Sequence, residues 1–274
     1  MKTGLALSGG GVLGVAHVGV LRQLELNNVK IDLISGTSAG AIIGSLFATG
    51  GFEMVQNFIE DIAAQGLFER KSLLLKPLPD KIFITVQETL RTYLPSTFEE
   101  LKTNFICTVT NFAEGKPEYI TSGRLVEAVM ASSAFPGVFP AQDLNGKSLI
   151  DGGITVNLPA TILRKNGTDF VIGSSLYNIV KMEEYNVEGN TPSRFLVLKR
   201  AIDIMQQAMA ESEVKVCDYC FAPPIEVFNW FDLERMTVIR QIGEDYAKRH
   251  FPELLAKLNT KPKKGLFAKV LRQK

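Results

Sequence analysis

Histidine and cysteine are scarce. Two histidines and three cysteines in 274 residues leave little material for a metal centre or a disulfide framework. The cysteines are Cys107, Cys217 and Cys220, an odd number that points to a reducing compartment, the cytoplasm. Cys217 and Cys220 form a lone C-x-x-C. Zinc needs two further ligands, and a redox pair wants a helix N-terminus just there, so both read as buried or half-buried strand residues. No metal and no cofactor is expected. Charge of one sign is also lacking: 30 basic residues stand against 29 acidic ones. Such a balance gives no global field for nucleic acid. Internal repeats and low-complexity linkers are absent. The long uncharged run at residues 33–52 is broken by glycine, serine and threonine. It reads as a buried strand, a turn at Ser35-Gly36 and a buried helix, not as a membrane span. Gly9-Gly10-Gly11 likewise interrupts any signal-peptide helix near the N-terminus.

Short apolar runs and helical periodicities are present in alternation. Residues 5–7 read as a buried strand, 12–27 as a helix, 31–34 as a strand and 39–48 as a small apolar helix. That opening predicts a parallel α/β sheet with both faces covered. Residues 52–101 are expected to be mostly helical, with a break near Pro77 and Pro79, and to form an insertion or cap. Further strands are expected at 105–111 and 170–175, helices at 124–132, 193–213 and 234–250. Asn145-Gly146 marks a hairpin within 142–150. One domain over 1–258 and a tail over 259–274 follow from this pattern.

The first glycine cluster, Gly9-Gly10-Gly11-Val12-Leu13-Gly14, ends a strand and opens a helix. Gly9, Gly11 and Gly14 fit the spacing of a dinucleotide loop, but the second strand lacks an acid at its end for a ribose. A P-loop is excluded because no Gly-Lys-Ser/Thr follows. The remaining ligand reading is an oxyanion hole made by amides of Gly9, Gly10, Gly11 and Val12; the plainer one is a tight strand-to-helix turn with no ligand. Gly36-Thr37-Ser38-Ala39-Gly40 is G-x-S-x-G between a strand and a helix, the setting of a nucleophile elbow. The plainer reading of Ser38 is a helix N-cap.

A nucleophilic serine needs a base. His17 lies on the apolar side of its helix with Leu21 and reads as a packed or capping group. His250 would complete the order Ser38, Asp151, His250 of an α/β-hydrolase, although the elbow comes too early in the chain for that fold. Asp151, in Ile150-Asp151-Gly152-Gly153, follows a strand, and Asn157-Leu158-Pro159 opens a helix after it. Strand ends are where α/β sheets place their chemistry.

Taken together, the glycine cluster, the Gly36–Gly40 block and Asp151-Gly152-Gly153 resemble the patatin-like phospholipase family. Ser132 to Pro140 is similar to the family's loop before the aspartate block. The resemblance runs from about Thr3 to about Pro159. It implies a three-layer α/β/α sandwich with a mostly parallel central sheet, and a lipid acyl-hydrolase with a Ser38–Asp151 dyad and no catalytic histidine. By the same resemblance, Gly14, Gly36, Gly40, Gly152 and Gly153 support the three blocks. One departure is Leu13, where many members carry Arg or Lys; it weakens the expectation of a phospholipid substrate and leaves neutral lipids, lysolipids and acyl thioesters open.

Phe228, Trp230, Phe231 and Leu233 read as core or as an acyl-pocket wall. The tail from Lys261 to Lys274 has six basic residues, no acids and apolar residues at helical spacing. It reads equally as a peripheral membrane contact or as a solvated terminus. The expected partner is a lipid or acyl-ester substrate, with no nucleic acid. The competing expectations are a small-acyl esterase or thioesterase, and a catalytically weak lipid-binding protein. No oligomeric state is implied.

Overall fold

The computed structural model describes residues 1–65, 79–177, 194–228, 230 and 232–260. In chain order the elements are β1 (Thr3–Leu7), a 3-10 turn (Gly11–Ala16), α1 (His17–Leu26), β2 (Leu33–Thr37), α2 (Ala39–Ala64) and α3 (Pro79–Tyr93). There follow β3 (Asn104–Asn111), β4 (Lys116–Ile120), α4 (Leu125–Ser132), β5 (Gln142–Leu144) and β6 (Lys147–Asp151). The last are α5 (Ala160–Lys165), β7 (Phe170–Ser174), α6 (Arg194–Val214), β8 (Tyr219–Phe221) and α7 (Met236–Asn259).

The strands form one eight-stranded sheet in the order β5-β6-β3-β2-β1-β7-β8, with β4 also on β3. Strands β3, β2, β1, β7 and β8 pair in parallel. Antiparallel pairs add β4 and β6 to β3 and β5 to β6. Alternation along the parallel strands separates two cores. Leu5, Leu7, Ile34, Phe105, Cys107, Phe170 and Ile172 join the larger one. Ala6, Leu33, Ile106 and Val171 join the smaller one beneath α5. Side chains pointing to opposite faces are buried on both, which is the three-layer α/β/α arrangement the family resemblance implies.

The hairpin between β5 and β6 turns on Asn145 (φ 57°) and Gly146 (φ 76°), as an Asn-Gly pair favours. Elsewhere the boundaries differ from expectation. The stretch after Gly10 starts as a 3-10 turn and becomes α-helical only at His17. Strand β2 runs through Ser35 and Gly36, so the expected turn lies instead at Ser38. Ser35 is held in the strand layer because its hydroxyl donates to the Pro159 carbonyl at 2.6 Å. Strands β4 and β8 carry little signal: one contains Pro117 and is half-exposed, the other has three residues. The neighbourhood of Pro77 lies outside the described residues, as does the tail beyond Thr260. Among the described residues no helix is long and apolar enough to cross a membrane.

Helix α2 continues well past Ala48. It is interrupted at Gly51 (φ 76°, ψ −161°), a conformation essentially confined to glycine. Glu25, on α1, accepts from the Phe52 amide at 2.8 Å and so caps the helical segment that restarts there. We expect Gly51→Val to cost about 1–3 kcal/mol of stability and Glu25→Ala about 1 kcal/mol, with Glu25→Gln near wild type. Urea unfolding reads these differences; an unchanged midpoint for Gly51→Val would show that the break does not need this backbone conformation.

Candidate active site

Strand β3 has three partners. The β4 pairing covers Cys107 to Asn111 and overlaps both other pairings, so β4 occupies one edge alone. Strands β2 and β6 therefore share the opposite edge and meet end to end. Thr37 of β2 pairs with Thr108, and Asp151 of β6 pairs with the next residue, Val109. The residue after Thr37 is Ser38. Two positions more than a hundred residues apart in sequence are thereby placed side by side at the sheet's end.

Ser38 has φ 53° and ψ −121°, a strained conformation for a residue with a side chain. It occupies the N-cap position of α2, yet its side chain makes no capping hydrogen bond. It faces the Asp151 carboxylate instead, close enough to favour that group's ionised form. The strain is held from below: the Ser38 amide donates to the Ser132 hydroxyl (2.8 Å), which donates to the Thr108 carbonyl (2.6 Å). The flanking glycines let backbones touch. A Cβ on Gly40 would stand 2.3 Å from the Leu7 carbonyl oxygen, and one on Gly36 2.3 Å from that of Gly40.

The Asp151 block is equally fixed. The Asp151 amide donates to Ala134, and the Thr110 hydroxyl donates to the Asp151 carbonyl. The Gly153 amide donates to carboxylate Oδ1 at 2.7 Å. Gly152 lies against the Thr108 carbonyl. Asp151 is only 2% exposed. Burial lifts its carboxyl to about 6, against the opposing pull of the nearby Ser38 hydroxyl and the Gly153 amide.

The glycine cluster wraps the other side of Ser38. The Gly9 amide donates to the Asn157 carbonyl (3.2 Å) and the Val12 amide to the Trp230 carbonyl (3.0 Å). Gly10 and Gly11 have positive φ, and their amides donate to no loop carbonyl among the described residues. A Cβ on Gly11 would press on the Trp230 carbonyl oxygen at 2.6 Å. Gly14 packs on Ala39, the first residue of α2.

These groups open into one cavity of about 460 Å³. Its catalytic end contains Gly9 to Val12, Ser38, Asp151 and Asn157. Apolar walls come from Phe58, Ile59 and Ile62 beyond the α2 break, and from Ile82, Phe83 and Val86 on α3. Phe83 meets Phe139 with ring centroids 4.9 Å apart, and Phe135 meets Trp230 at 4.5 Å. Trp230 and Leu233 thus belong to the cavity wall, whereas Phe231 lies outside the described residues. Tyr177, Asp203 and Gln206 line a polar stretch, with the Tyr177 hydroxyl donating to Gln206 at 2.6 Å. The charged lining residues among those described are Asp151 and Asp203.

Neither histidine lines this cavity. His17 is fully buried below the glycine cluster. Its Nε2 faces the Ser8 carbonyl at 2.9 Å and must carry the proton; its Nδ1 then accepts from the Ser174 hydroxyl at 2.7 Å. Burial lowers its pKa to about 4. His250 pairs with Glu253 at 3.0 Å and stacks on Tyr246, on α7. Cys217 and Cys220 meet each other beside Gly173, the former in the turn before β8 rather than in a strand. Among the described residues no group of three or more His, Cys, Asp or Glu is placed to hold a metal.

Sequence reasoning passed over three site residues. Ser132 was legible only as part of the loop before the aspartate. Asn157 was read as a helix opening; it is buried, and its Oδ1 has no hydrogen-bond partner. Gln206 sits mid-helix with no local signal at all.

A patatin-like phospholipase family profile matches residues 5–164. A patatin-like phospholipase domain-containing protein of Caenorhabditis elegans is 27% identical over 286 residues, which cover 92% of this chain and 21% of that protein. The lysophospholipase nte1 of Emericella nidulans is 27% identical over 281 residues, covering 92% of this chain and 18% of its own length. The chain thus spans about a fifth of these curated relatives. Among solved structures, VipD from Legionella pneumophila superposes with a TM-score of 0.53 at 16% identity, covering 90% of this chain and 66% of that one.

The buried carboxylate has a measurable cost. With its carboxyl raised from 3.8 to about 6, the native state holds the Asp151 proton more tightly than the unfolded chain does. This group's contribution to stability is therefore full at low pH and is lost as pH rises through about 6. We expect Asp151→Asn to be more stable than wild type at pH 8, by about 1–3 kcal/mol, and to lose that advantage towards pH 4. Thermal unfolding across that range tests this; an advantage that is constant with pH would place its origin elsewhere.

Proposed function

The chain belongs to the patatin-like phospholipase family, and from that premise we propose that it hydrolyses a lipid acyl ester with Ser38 as nucleophile and Asp151 as its base. The observation that carries the reading is the meeting of Ser38 with a buried carboxylate at the apolar cavity's polar end, beside the Gly10 and Gly11 amides, which have no hydrogen-bond partner among the described residues. Asp151 takes the hydroxyl proton as Ser38 Oγ attacks the ester carbonyl carbon. The developing oxyanion is held by the Gly10 and Gly11 amides, which are fixed in place before the reaction and need no reorganisation. The intermediate collapses, the C–O bond to the alcohol breaks, and the protonated Asp151 returns its proton to the departing oxygen. Water then attacks the acyl-serine, losing a proton to Asp151, and the acid is released as Ser38 recovers its hydrogen.

The amides of Gly9 and Val12, expected in the oxyanion hole, are engaged with Asn157 and Trp230 and are left out of this scheme. No histidine enters it either: His17 stays neutral down to about pH 4, and His250 is held by Glu253.

The walls favour a long acyl chain over a small acyl group, since burying each methylene contributes about 0.8 kcal/mol. Leu13, where many relatives carry a cation, is buried in the core, and the described lining has no cationic side chain to meet a phosphate. Both support a lipid without an anionic headgroup, whereas the name lysophospholipase borne by fungal relatives points to a single-chain lipid that does carry a phosphate.

Hydrolysis of p-nitrophenyl esters from acetate to palmitate tests the scheme. Ser38→Ala and Asp151→Asn should each lose at least about a thousandfold in kcat, and His250→Ala should remain within twofold of wild type. Rates on long esters should exceed those on acetate. Because the base must be ionised, kcat/KM should fall about tenfold per unit below pH 6. An active Ser38→Ala variant or an inactive His250→Ala variant would discard the dyad. A folded wild type that binds lipid but turns over no ester would leave a lipid-binding protein.

A further inference from the structure

Two buried side-chain amides stand at the catalytic end of the cavity without a role in acyl transfer. Asn157 is 2% exposed and Gln206 3% exposed, and both line the cavity. Among the described residues the Asn157 side chain makes no hydrogen bond, and its Oδ1 is buried without a partner. Gln206 is held at one end only. Its Oε1 accepts from the Tyr177 hydroxyl at 2.6 Å, while its Nε2 donates to no group among the described residues. A buried polar group without a partner is costly, and folded proteins keep few of them.

Both amide nitrogens lie at one place, beside the base. A Cβ on Gly153 would stand 2.7 Å from Gln206 Nε2, 3.0 Å from Asp151 Oδ1 and 3.1 Å from Asn157 Nδ2. Three polar atoms from the end of β6, the loop before α5 and the middle of α6 therefore converge over the Gly153 Cα. Gly153 does not have positive φ, so its backbone conformation does not call for glycine. What glycine leaves there is the space these three groups share. The carboxylate is fixed towards that space, because Oδ1 also accepts from the Gly153 amide.

We propose that Gln206 is a further catalytic residue, whose Nε2–H group holds the water that cleaves the acyl-serine, next to the carboxylate that takes its proton. The proposal rests on the reading of Ser38 and Asp151 as nucleophile and base. Water is the occupant because the place is polar, small and bounded by both donors and an acceptor, the partners a buried water requires. The water oxygen accepts from Gln206 Nε2 through one lone pair and donates a hydrogen to Asp151. Its other lone pair attacks the acyl carbonyl carbon. As that C–O bond forms, the proton passes to Asp151. The bond from the same carbon to Ser38 Oγ then breaks, and Asp151 gives the proton to Oγ as the carboxylic acid departs. Asn157 Nδ2 bounds the seat on the side of Gly9, where a Cβ would stand 3.2 Å from it. Tyr177 is a positioning residue: by donating to Oε1 it fixes which end of the Gln206 amide faces Asp151.

The test separates the two halves of turnover. A p-nitrophenolate group leaves without taking a proton, so acylation by a p-nitrophenyl ester does not need the seat, whereas hydrolysis of the acyl-serine does. Stopped-flow release of p-nitrophenol from the butyrate ester is compared for wild type and Gln206→Met, which keeps the side chain's length. The variant's first turnover should stay within threefold of wild type, followed by a steady state slower by at least about tenfold. KM should fall with kcat, leaving kcat/KM nearly unchanged, and intact-protein mass should show one butyryl group accumulating on the chain. Hydroxylamine, which attacks esters without a base, should restore the variant's turnover. Tyr177→Phe, which leaves Gln206 in place, should give the same split with a smaller factor. First turnover and steady state slowed alike would overturn the proposal, since the substitution would then disturb the whole site; so would wild-type rates in both phases. A wild type that neither releases p-nitrophenol nor becomes acylated would instead discard the enzyme reading on which the proposal rests.

Discussion

Everything at the site depends on where two strands stop along β3. Strand β2 arrives parallel and ends opposite Thr108; β6 arrives antiparallel and ends opposite Val109. Had either register slipped by one residue, the side chains at its end would have turned to the other face of the sheet. The serine and the aspartate would then no longer meet. The register is held by bonds between the two ends. Thr37 donates to the Val156 carbonyl and Ser35 to that of Pro159, so the loop leaving Asp151 is tied to the strand leading to Ser38. Ser132 ties Ser38 to β3 directly. Strain at one residue is tolerated because the surrounding bonds over-determine it.

Two buried ionisable groups lie close to this junction, and their pH linkages have opposite signs. Asp151, raised to about 6, makes the native state gain stability as pH falls from 6 towards 3.8. His17, lowered to about 4, makes it lose stability as pH falls from 6.5 towards 4, because the unfolded chain takes up the proton first. The windows overlap, so each offsets much of the other's effect between pH 4 and 6. The histidine also has a definite task in its neutral state. It joins the carbonyl of Ser8, at the start of the glycine cluster, to the hydroxyl of Ser174 at the end of β7. A charged ring would have two donors facing one acceptor and one hydroxyl, and burial removes that option.

What the sequence disclosed was local. The alternation of strand and helix, the Asn145-Gly146 hairpin and the three glycine-bearing blocks are each short-range patterns with a mechanical cause, and the structure contains each of them. What it concealed was pairing. The end-to-end meeting of β2 and β6 leaves no trace in either segment; the place of Asp151 at a strand end and the resemblance to a family pointed to it, not any sign of its partner. The turn at Ser35-Gly36 was misplaced because serine and glycine also occupy a buried strand when a hydroxyl finds a distant carbonyl, here that of Pro159. Gln206 and Asn157 were invisible for a related reason: their value lies in what other segments bring beside them. The amide accounting was hidden too, since only the fold shows that Gly9 and Val12 are already committed.

The cavity is built by segments that do no work in the sheet. Helix α3, the half of α2 beyond Gly51, and α6 supply much of its apolar wall and part of its polar one, while the catalytic end is made by strand ends and the turns after them. This separation lets the two parts obey different constraints. The strand ends must hold positions to within a hydrogen bond, and buried register supplies that. The helices need only present surface to the cavity, apolar from α2 and α3 and polar at Asp203 and Gln206 from α6. The hydrophobic effect is non-directional, so these walls can shift without disturbing the strand ends that carry the serine and the aspartate.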